Sequence, residues 1–157
     1  MPLRPIRITL LGLLLLGAPA AAAGETVRWL APDAALAPDA AAAAGSRKVF
    51  LTFVSKNCSA CRRMDSETYT DADVAAYLNR HYRPARVDAA RHREMAARYR
   101  VRAVPTHCFL QPDGKPVSCL PGAVPPADFL LILRYMQTDS YRTMSLQRFA
   151  AQAGGER

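Results

Sequence analysis

The chain has 157 residues, enough for one domain with a hydrophobic core but too few for two such domains. Its formal net charge is +8, yet the arginines spread over residues 80–102 come with neither aromatic platforms nor a groove-reading motif, so nucleic acid is not an expected partner. A solvated basic surface is favoured, and its charge would steer an acidic partner or an anionic membrane surface toward the protein.

Residues 1–23 have the pattern of a cleaved export signal. Arg4 and Arg7 precede an apolar run at 8–16, and the small residues at 21–23 resemble a cleavage site. The apolar run is short for the ~20 residues that a membrane span needs. We therefore expect export to the periplasm and a soluble mature protein that meets a membrane only transiently, if at all. Loss of the two arginines lowers the formal net charge from +8 to +6.

The chain after the leader begins with an alanine-rich extension over residues 24–46. Within it, Pro38 and Gly45 are typical of the start and the end of a short first helix. The run KVFLTFV at 48–54 is largely apolar and β-branched, which predicts a buried central strand. The sequence CSAC, residues 58–61, follows at the carboxyl end of this strand.

Helical and strand patterns alternate over the rest of the chain. One helix is predicted to begin at Cys58 and another at Thr70 as its N-cap, with Asp73 three residues further on. The remaining predicted elements are a strand at 83–89, a helix at 92–101, a strand entered through Pro105, a turn at 111–115, a return strand at 116–120, a helix at 125–136 and one further helix in the tail. Parallel strands joined by helices and followed by an antiparallel hairpin predict an α/β fold with three layers.

The segment KNCSACRR, residues 56–63, places two cysteines one helical turn apart with basic residues on both sides. Free backbone N–H groups at the helix start and the flanking positive charges would stabilise a thiolate at Cys58. Cys61 can then attack a mixed disulfide formed by Cys58 and release the partner. The spacing therefore favours a pair that exchanges electrons with other thiols.

Other interpretations of the pair are less favoured. A zinc site needs four ligands, and His81, His92 and His107 lack the spacing to complete one, so no metal is expected. Metal delivery would require Cu(I) binding in preference to disulfide formation. A purely structural disulfide is less typical of a CxxC pair beside a βαβ pattern. No nucleotide or flavin motif appears, so we expect no cofactor.

The sequence around the cysteines resembles thioredoxin-fold proteins. From about Val27 to Met136 it is similar to exported members related to the C-terminal thioredoxin domain of DsbD-type reductases. The motifs that carry this resemblance are VFLTFV before CSAC and Val-Pro-Thr at 104–106. The resemblance implies a thioredoxin fold, a three-layer α/β/α sandwich with a central mixed sheet. It places this domain at residues 47–137, followed by a tail at 138–157.

The resemblance also implies the roles of individual residues. Cys58 is the attacking and Cys61 the resolving cysteine of a redox-active, catalytic disulfide. Pro105 is a cis-proline packed beside them, and Val104, Pro105 and Thr106 are expected to hold an extended substrate segment.

Three positions depart from the thioredoxin pattern or bear on it. Asn57 stands where many thioredoxins have tryptophan, and Thr52 stands where many have a buried acid that moves the resolving proton. Trp29 is expected to be a packing residue of the N-terminal extension rather than a replacement for the missing tryptophan. The redox potential and the proton route therefore do not follow from the resemblance.

Cys108 and Cys119 lie on the two arms of the predicted hairpin. A two-residue turn at 113–114 would place them face to face, whereas a three-residue loop at 112–114 would place Cys119 opposite His107. The Pro-Asp-Gly pattern favours the longer loop, so we expect two buried thiols rather than a disulfide. His107 is expected near the active face as a packing or surface residue, with proton donation as the alternative.

Two classes of function remain open at this point. The favoured one is an exported thiol-disulfide oxidoreductase, a reductase of protein disulfides that a membrane-bound donor re-reduces. Disulfide oxidase, isomerase and cytochrome c maturation roles use the same parts. The alternative is a redox-inert module that binds clients through the surface around Pro105.

Overall fold

The structure is a computed structural model, and it describes residues 25–38, 45 and 47–154. The predicted leader and most of the predicted helix between Pro38 and Gly45 lie outside the described residues.

The described part of the chain contains helices and strands in the predicted alternation. The α-helices are α1 (Pro32–Leu36), α2 (Ser59–Arg63), α3 (Ala72–His81), α4 (Arg93–Arg98), α5 (Pro126–Gln137) and α6 (Leu146–Gly154), and the strands are β1 (Lys48–Val54), β2 (Tyr82–Asp88), β3 (Thr106–Leu110) and β4 (Pro116–Pro121). A π-helical turn at Met64–Thr68 continues α2, and a 3-10 turn at Ser140–Arg142 precedes α6. No helix of this described part combines the length and the apolar character needed to cross a bilayer.

The four strands form one mixed sheet in the order β2-β1-β3-β4. β1 is parallel to β2 and antiparallel to β3, and β4 returns antiparallel to β3. Because Phe53 near the end of β1 pairs with Thr106 at the start of β3, the carboxyl end of β1 and the amino end of β3 meet at the same edge of the sheet. The predicted α/β fold with a central mixed sheet is confirmed.

Successive side chains of β1 point to opposite faces of the sheet and contribute to two separate parts of the core. Phe50 faces a cluster formed with the π-helical turn, α3 and α5, whereas Leu51 faces a second cluster with α1 and α4. Both side chains are fully buried. Burial of one such side chain stabilises the fold by about 1.5–3 kcal/mol. Helices therefore cover both faces, and the fold has three layers.

The N-terminal segment packs against the edge of the sheet at β2. Leu30 forms a parallel bridge with Ala85, and its N–H donates to the Pro84 carbonyl at 2.8 Å. Trp29 packs edge-on against Tyr69 with ring centroids 4.9 Å apart, which confirms its packing role. α1 was not among the predicted elements, because Pro32 reads as a break, although proline at the first helical position suits a helix start.

The N-cap of α3 differs from the prediction. Asp71, not Thr70, caps this helix, and its carboxylate accepts from the N–H groups of Asp73 at 3.1 Å and Val74 at 3.0 Å. The hydroxyl of Thr70 instead donates to the Ser66 carbonyl at 2.9 Å. The π-helical turn ends at Thr68 and the Thr70 hydroxyl binds back to it, so the capping position of α3 moves by one residue to Asp71.

The hairpin between β3 and β4 has the predicted three-residue loop. The N–H of Gln111 donates to the Lys115 carbonyl at 2.8 Å, and Gly114 adopts φ +82°, a left-handed conformation that glycine adopts at little cost.

The conclusion drawn from this loop about the second cysteine pair was wrong. Leu110 pairs with Pro116 but Phe109 pairs with Ser118, so Val117 is an extra residue in β4 and forms a β-bulge. The bulge shifts the register by one residue and brings Cys108 opposite Cys119. These two residues form a disulfide with Cα atoms 4.1 Å apart, rather than two thiols.

Loss of the second disulfide is expected to lower stability without loss of exchange at Cys58. The bond links residues 11 positions apart, and a loop of this size gives roughly 2–4 kcal/mol of stabilisation. Urea unfolding of a variant with Cys108→Ala and Cys119→Ala, compared with the oxidised wild type, measures the difference. An unchanged unfolding midpoint would show that this bond contributes no stability.

The C-terminal tail packs on the domain rather than leaving it. The buried Lys48 ammonium donates to the Met136 carbonyl at 2.7 Å and to the Asp139 carboxylate at 2.8 Å. This contact lowers the pKa of Asp139 to about 2. Tyr135 on α5 donates to the Met144 carbonyl at 2.7 Å, and its ring packs against Phe149 of α6. The further helix predicted in the tail is therefore present as α6.

Candidate active site

The cysteine pair lies where β1 passes into α2. Cys58 and Cys61 form a disulfide with Cα atoms 5.2 Å apart. Cys58 caps the helix in an extended conformation, and its sulfur accepts from the Cys61 N–H at 3.0 Å. Cys58 is 7% exposed and Cys61 is 3% exposed, so Cys61 is the more buried of the pair. The same N–H would stabilise a thiolate at Cys58 once the disulfide is reduced.

The Val-Pro-Thr segment occupies the same edge of the sheet. The Val104–Pro105 peptide bond is cis. The Pro105 carbonyl accepts from the Gly122 N–H at 2.8 Å, and the Thr106 hydroxyl donates to the Ala103 carbonyl at 2.7 Å. Since Thr106 pairs with Phe53 near the end of β1, the fold brings this segment and the cysteine pair to one edge. The substrate-binding role of Val104, Pro105 and Thr106 stays a prediction.

A buried polar cluster lies beneath this edge, and it consists of Thr52, Tyr69, His107 and the carbonyl of Gly122. His107 Nδ1 lies 3.2 Å from both the Thr52 hydroxyl and the Tyr69 hydroxyl, and Tyr69 donates to Thr52 at 3.1 Å. His107 Nε2 lies 3.0 Å from the Gly122 oxygen. The cluster therefore joins β1, β3, the end of the π-helical turn and the residue after β4.

The hydrogen bonds of this cluster determine the tautomer of His107. A carbonyl oxygen only accepts, so Nε2 carries the proton and donates to Gly122, which leaves Nδ1 as an acceptor. Burial lowers the pKa of His107 to about 4, although the bond to Gly122 opposes this shift. Burial also raises the pKa of Tyr69, so the phenol keeps its proton. His107 is thus a neutral, fully buried residue and not a surface histidine.

A cleft of 610 Å³ opens beside the cysteine pair. The residues that line it are Ser55, Lys56, Asn57, Asp88, Ala90 and Arg91. Asn57, which stands where many thioredoxins have tryptophan, is one of the residues that line this cleft. The surface next to the disulfide is consequently polar and basic rather than aromatic.

A family described as a thioredoxin-like domain matches residues 35–137 of the chain. The chain belongs to the thioredoxin-like family. Together with the Cys58–Cys61 disulfide, this membership identifies a thiol-disulfide oxidoreductase that acts on protein thiol substrates.

Solved structures of thioredoxin-like proteins resemble this chain. A thioredoxin from Thermus thermophilus is 35% identical, with a TM-score of 0.61 over 69% of this chain and 85% of that chain. A thioredoxin-fold protein from Helicobacter pylori is 18% identical, with a TM-score of 0.63 over 72% and 88% of the two chains. An oxidoreductase named DsbH is 16% identical, with a TM-score of 0.63 over 78% and 92%. No curated protein sequence matches the chain.

The sequence did not point to two residues of this thioredoxin-like site. Tyr69 lies eight positions after Cys61, where a continuous helical pattern carries no sign of a buried hydroxyl. Gly122 adopts φ +100°, and both its N–H and its carbonyl bind residues of β3 or the segment before it. A glycine in the sequence indicates a turn, but it does not indicate which residues the turn will bind.

Proposed function

We propose that the protein is an exported reductase of protein disulfides that works in the periplasm through Cys58 and Cys61. The observation that carries the proposal is the disulfide at the start of α2, at the same sheet edge as the Val104–Pro105 segment. The leader pattern of residues 1–23 supports export. The resemblance to the C-terminal domain of DsbD-type reductases supports the reducing direction and a membrane-bound electron donor.

The reaction is a pair of thiol-disulfide exchanges. The Cys58 thiolate attacks one sulfur of a client disulfide, which forms a mixed disulfide and releases one client thiolate. Cys61 then loses its proton and attacks the Cys58 sulfur, which releases the second client thiolate and leaves the Cys58–Cys61 disulfide. The client gains two electrons and the enzyme loses two. The donor must return two electrons to the pair before the next cycle.

The geometry around Cys58 favours the first attack. The Cys61 N–H points at the Cys58 sulfur at 3.0 Å, so negative charge on that sulfur is stabilised by a donor that is already in place. The segment before β3 lies at the same end of the sheet as the pair, and a client strand that paired with its backbone would bring the client disulfide to Cys58.

The reduction potential of the Cys58–Cys61 pair tests the direction of electron flow. The mature protein, with Cys108→Ala and Cys119→Ala so that one pair titrates, is equilibrated with dithiothreitol or glutathione buffers and its thiols are trapped. A potential near about −270 mV supports a reductase, and one near about −120 mV makes the protein an oxidant. Cell fractionation with the leader intact, and with Arg4 and Arg7 changed to Glu, tests export independently.

A further inference from the structure

Positive charge is concentrated in two segments of the chain. Residues 55–63 and 89–105 together hold eight lysines and arginines and one carboxylate, Glu94, which gives these 26 residues a formal charge of +7. The whole chain carries +8, so all the other residues together contribute only +1. The basic character of this protein therefore belongs to two short stretches.

The fold brings these two segments together around the disulfide. β1 and β2 are parallel and end side by side, with Val54 paired to Asp88, and the Ala89 N–H donates to the Val54 carbonyl at 3.0 Å. The first segment leaves β1 and contains the cysteine pair. The second leaves β2, passes through α4 and ends at Pro105. We name the basic side chains of the two segments the basic collar: Lys56, Arg62, Arg63, Arg91, Arg93, Arg98, Arg100 and Arg102.

The basic collar is exposed, and no carboxylate of the described residues forms an ion pair with it. All eight side chains belong to exposed residues. The five ion pairs of the described residues involve other cations: Arg28, Lys48, Arg86, Lys115 and Arg142. Two members have neutral partners only, since Arg93 donates to the Ala90 carbonyl and Arg98 to the Tyr99 side chain.

In the described part of the chain, the acid that lines the cleft forms no ion pair with the collar. Asp88 lines the cleft together with Lys56 and Arg91, but its carboxylate accepts from the backbone N–H groups of Ala90 at 2.9 Å and Arg91 at 3.2 Å. These bonds hold the turn after β2. Asp33 and Glu94 line a neighbouring pocket with Arg91, Arg93 and Arg98, so the collar keeps a net positive charge in which basic side chains outnumber the nearby carboxylates.

We propose that the clients of this oxidoreductase carry acidic residues beside the disulfide that they exchange, and that the basic collar binds those residues. The proposal rests on the function proposed above. Opposite charge across an interface raises the encounter rate and orients the approach, and like charge disfavours wrong partners. A client strand held along the Val104–Pro105 segment would lie between the two halves of the collar. Glu or Asp on either side of its cysteine would then meet arginine or lysine.

Three synthetic disulfide peptides test the proposal. They share one sequence and differ only in the residues that flank the disulfide, which are Glu, Gln or Lys. The exchange rate with the reduced protein is measured at ionic strengths of about 0.01 M and about 0.15 M. The Glu peptide is expected to react roughly tenfold or more faster than the Gln peptide at the lower ionic strength, with the Lys peptide slowest. Salt is expected to reduce these differences.

Matched variants assign the effect to the collar. The collar variant carries Lys56→Gln, Arg91→Gln and Arg102→Gln, and the control variant carries Arg80→Gln, Arg134→Gln and Arg148→Gln. Both lose three positive charges, and the control charges lie on α3, α5 and α6, outside the two segments. The collar variant is expected to lose the preference for the Glu peptide, and the control variant to keep it.

The outcomes separate this inference from the proposed function. Equal rates for the Glu and Gln peptides at the lower ionic strength, or a preference that survives in the collar variant, would overturn the inference and leave disulfide exchange intact. Failure to exchange any of the three peptides would overturn the proposed function. If collar-dependent binding appears on vesicles of phosphatidylglycerol while the peptides react alike, the collar serves a membrane surface and the inference is wrong.

Discussion

Cys61→Ala is expected to stop turnover and to leave the protein joined to its client through Cys58. In the wild type, Cys61 lies one helical turn from Cys58 and is already bonded to it in the oxidised state, so resolution is intramolecular. Without Cys61, a second thiol must come from solution. Intramolecular attack has an effective concentration far above any dissolved thiol, and turnover should therefore fall by roughly a hundredfold or more.

The accumulated species is measured directly. The reduced variant is mixed with an oxidised client, quenched with an alkylating agent and resolved without reductant, where a band or mass equal to protein plus client marks the mixed disulfide. Cys58→Ala is the matched control and should give no adduct, because Cys58 is the residue at the helix N-cap, where a backbone N–H is directed at the sulfur. An adduct through Cys61 in that control, or none in Cys61→Ala, would reverse or remove the assigned roles.

His107→Leu is expected to reduce the stability of the fold at neutral pH. It is also expected to make the variant lose less stability than the wild type when the pH falls. At neutral pH the variant leaves the Gly122 carbonyl and one hydroxyl of the cluster without their partner. A buried group that loses its partner costs about 1–3 kcal/mol, so the two groups together give a loss of roughly 2–6 kcal/mol.

The pH dependence has a definite sign. The pKa of His107 is about 4 in the folded protein, below its ordinary value of 6.5. Between pH 4 and pH 6.5 the unfolded chain therefore binds the proton more readily than the folded protein does. Stability from neutral His107 is thus complete above pH 6.5 and is lost as the pH falls toward 4. The shift corresponds to on the order of 3 kcal/mol. Acid-range urea unfolding of the wild type, His107→Leu and His92→Gln isolates this contribution.

The comparison between the three proteins decides the outcome. The difference in unfolding free energy between wild type and His107→Leu should shrink as the pH falls from 6.5 to 4. The His92→Gln variant, which changes a histidine outside the cluster, is the matched control for the loss of an imidazole. A difference that stays constant over this range would show that His107 does not bind the proton on unfolding.

Features that depend on neighbours along the chain were predictable from the sequence. The seven-residue apolar run became β1, the cysteines followed it at a helix start, and the Pro-Asp-Gly pattern produced the three-residue loop. In each case the periodicity of burial or the backbone preference of proline and glycine acts over a few residues. The fold class followed from the order of these elements.

Features that depend on contacts between distant segments required the tertiary structure. The loop of the hairpin was predicted correctly, but the bulge at Val117 changed the register and made the prediction for Cys108 and Cys119 wrong. A bulge depends on the packing of the whole sheet and not on the residues of the loop. Thr52 and Tyr69 meet His107 across 55 and 38 residues of sequence. The sequence by itself determined the position of the cysteine pair at a helix start, the strand entered through Pro105 and the layered fold, since each has a local pattern. Only the tertiary structure decided strand register, the burial of His107 and the gathering of the basic collar, since these depend on which distant residues become neighbours.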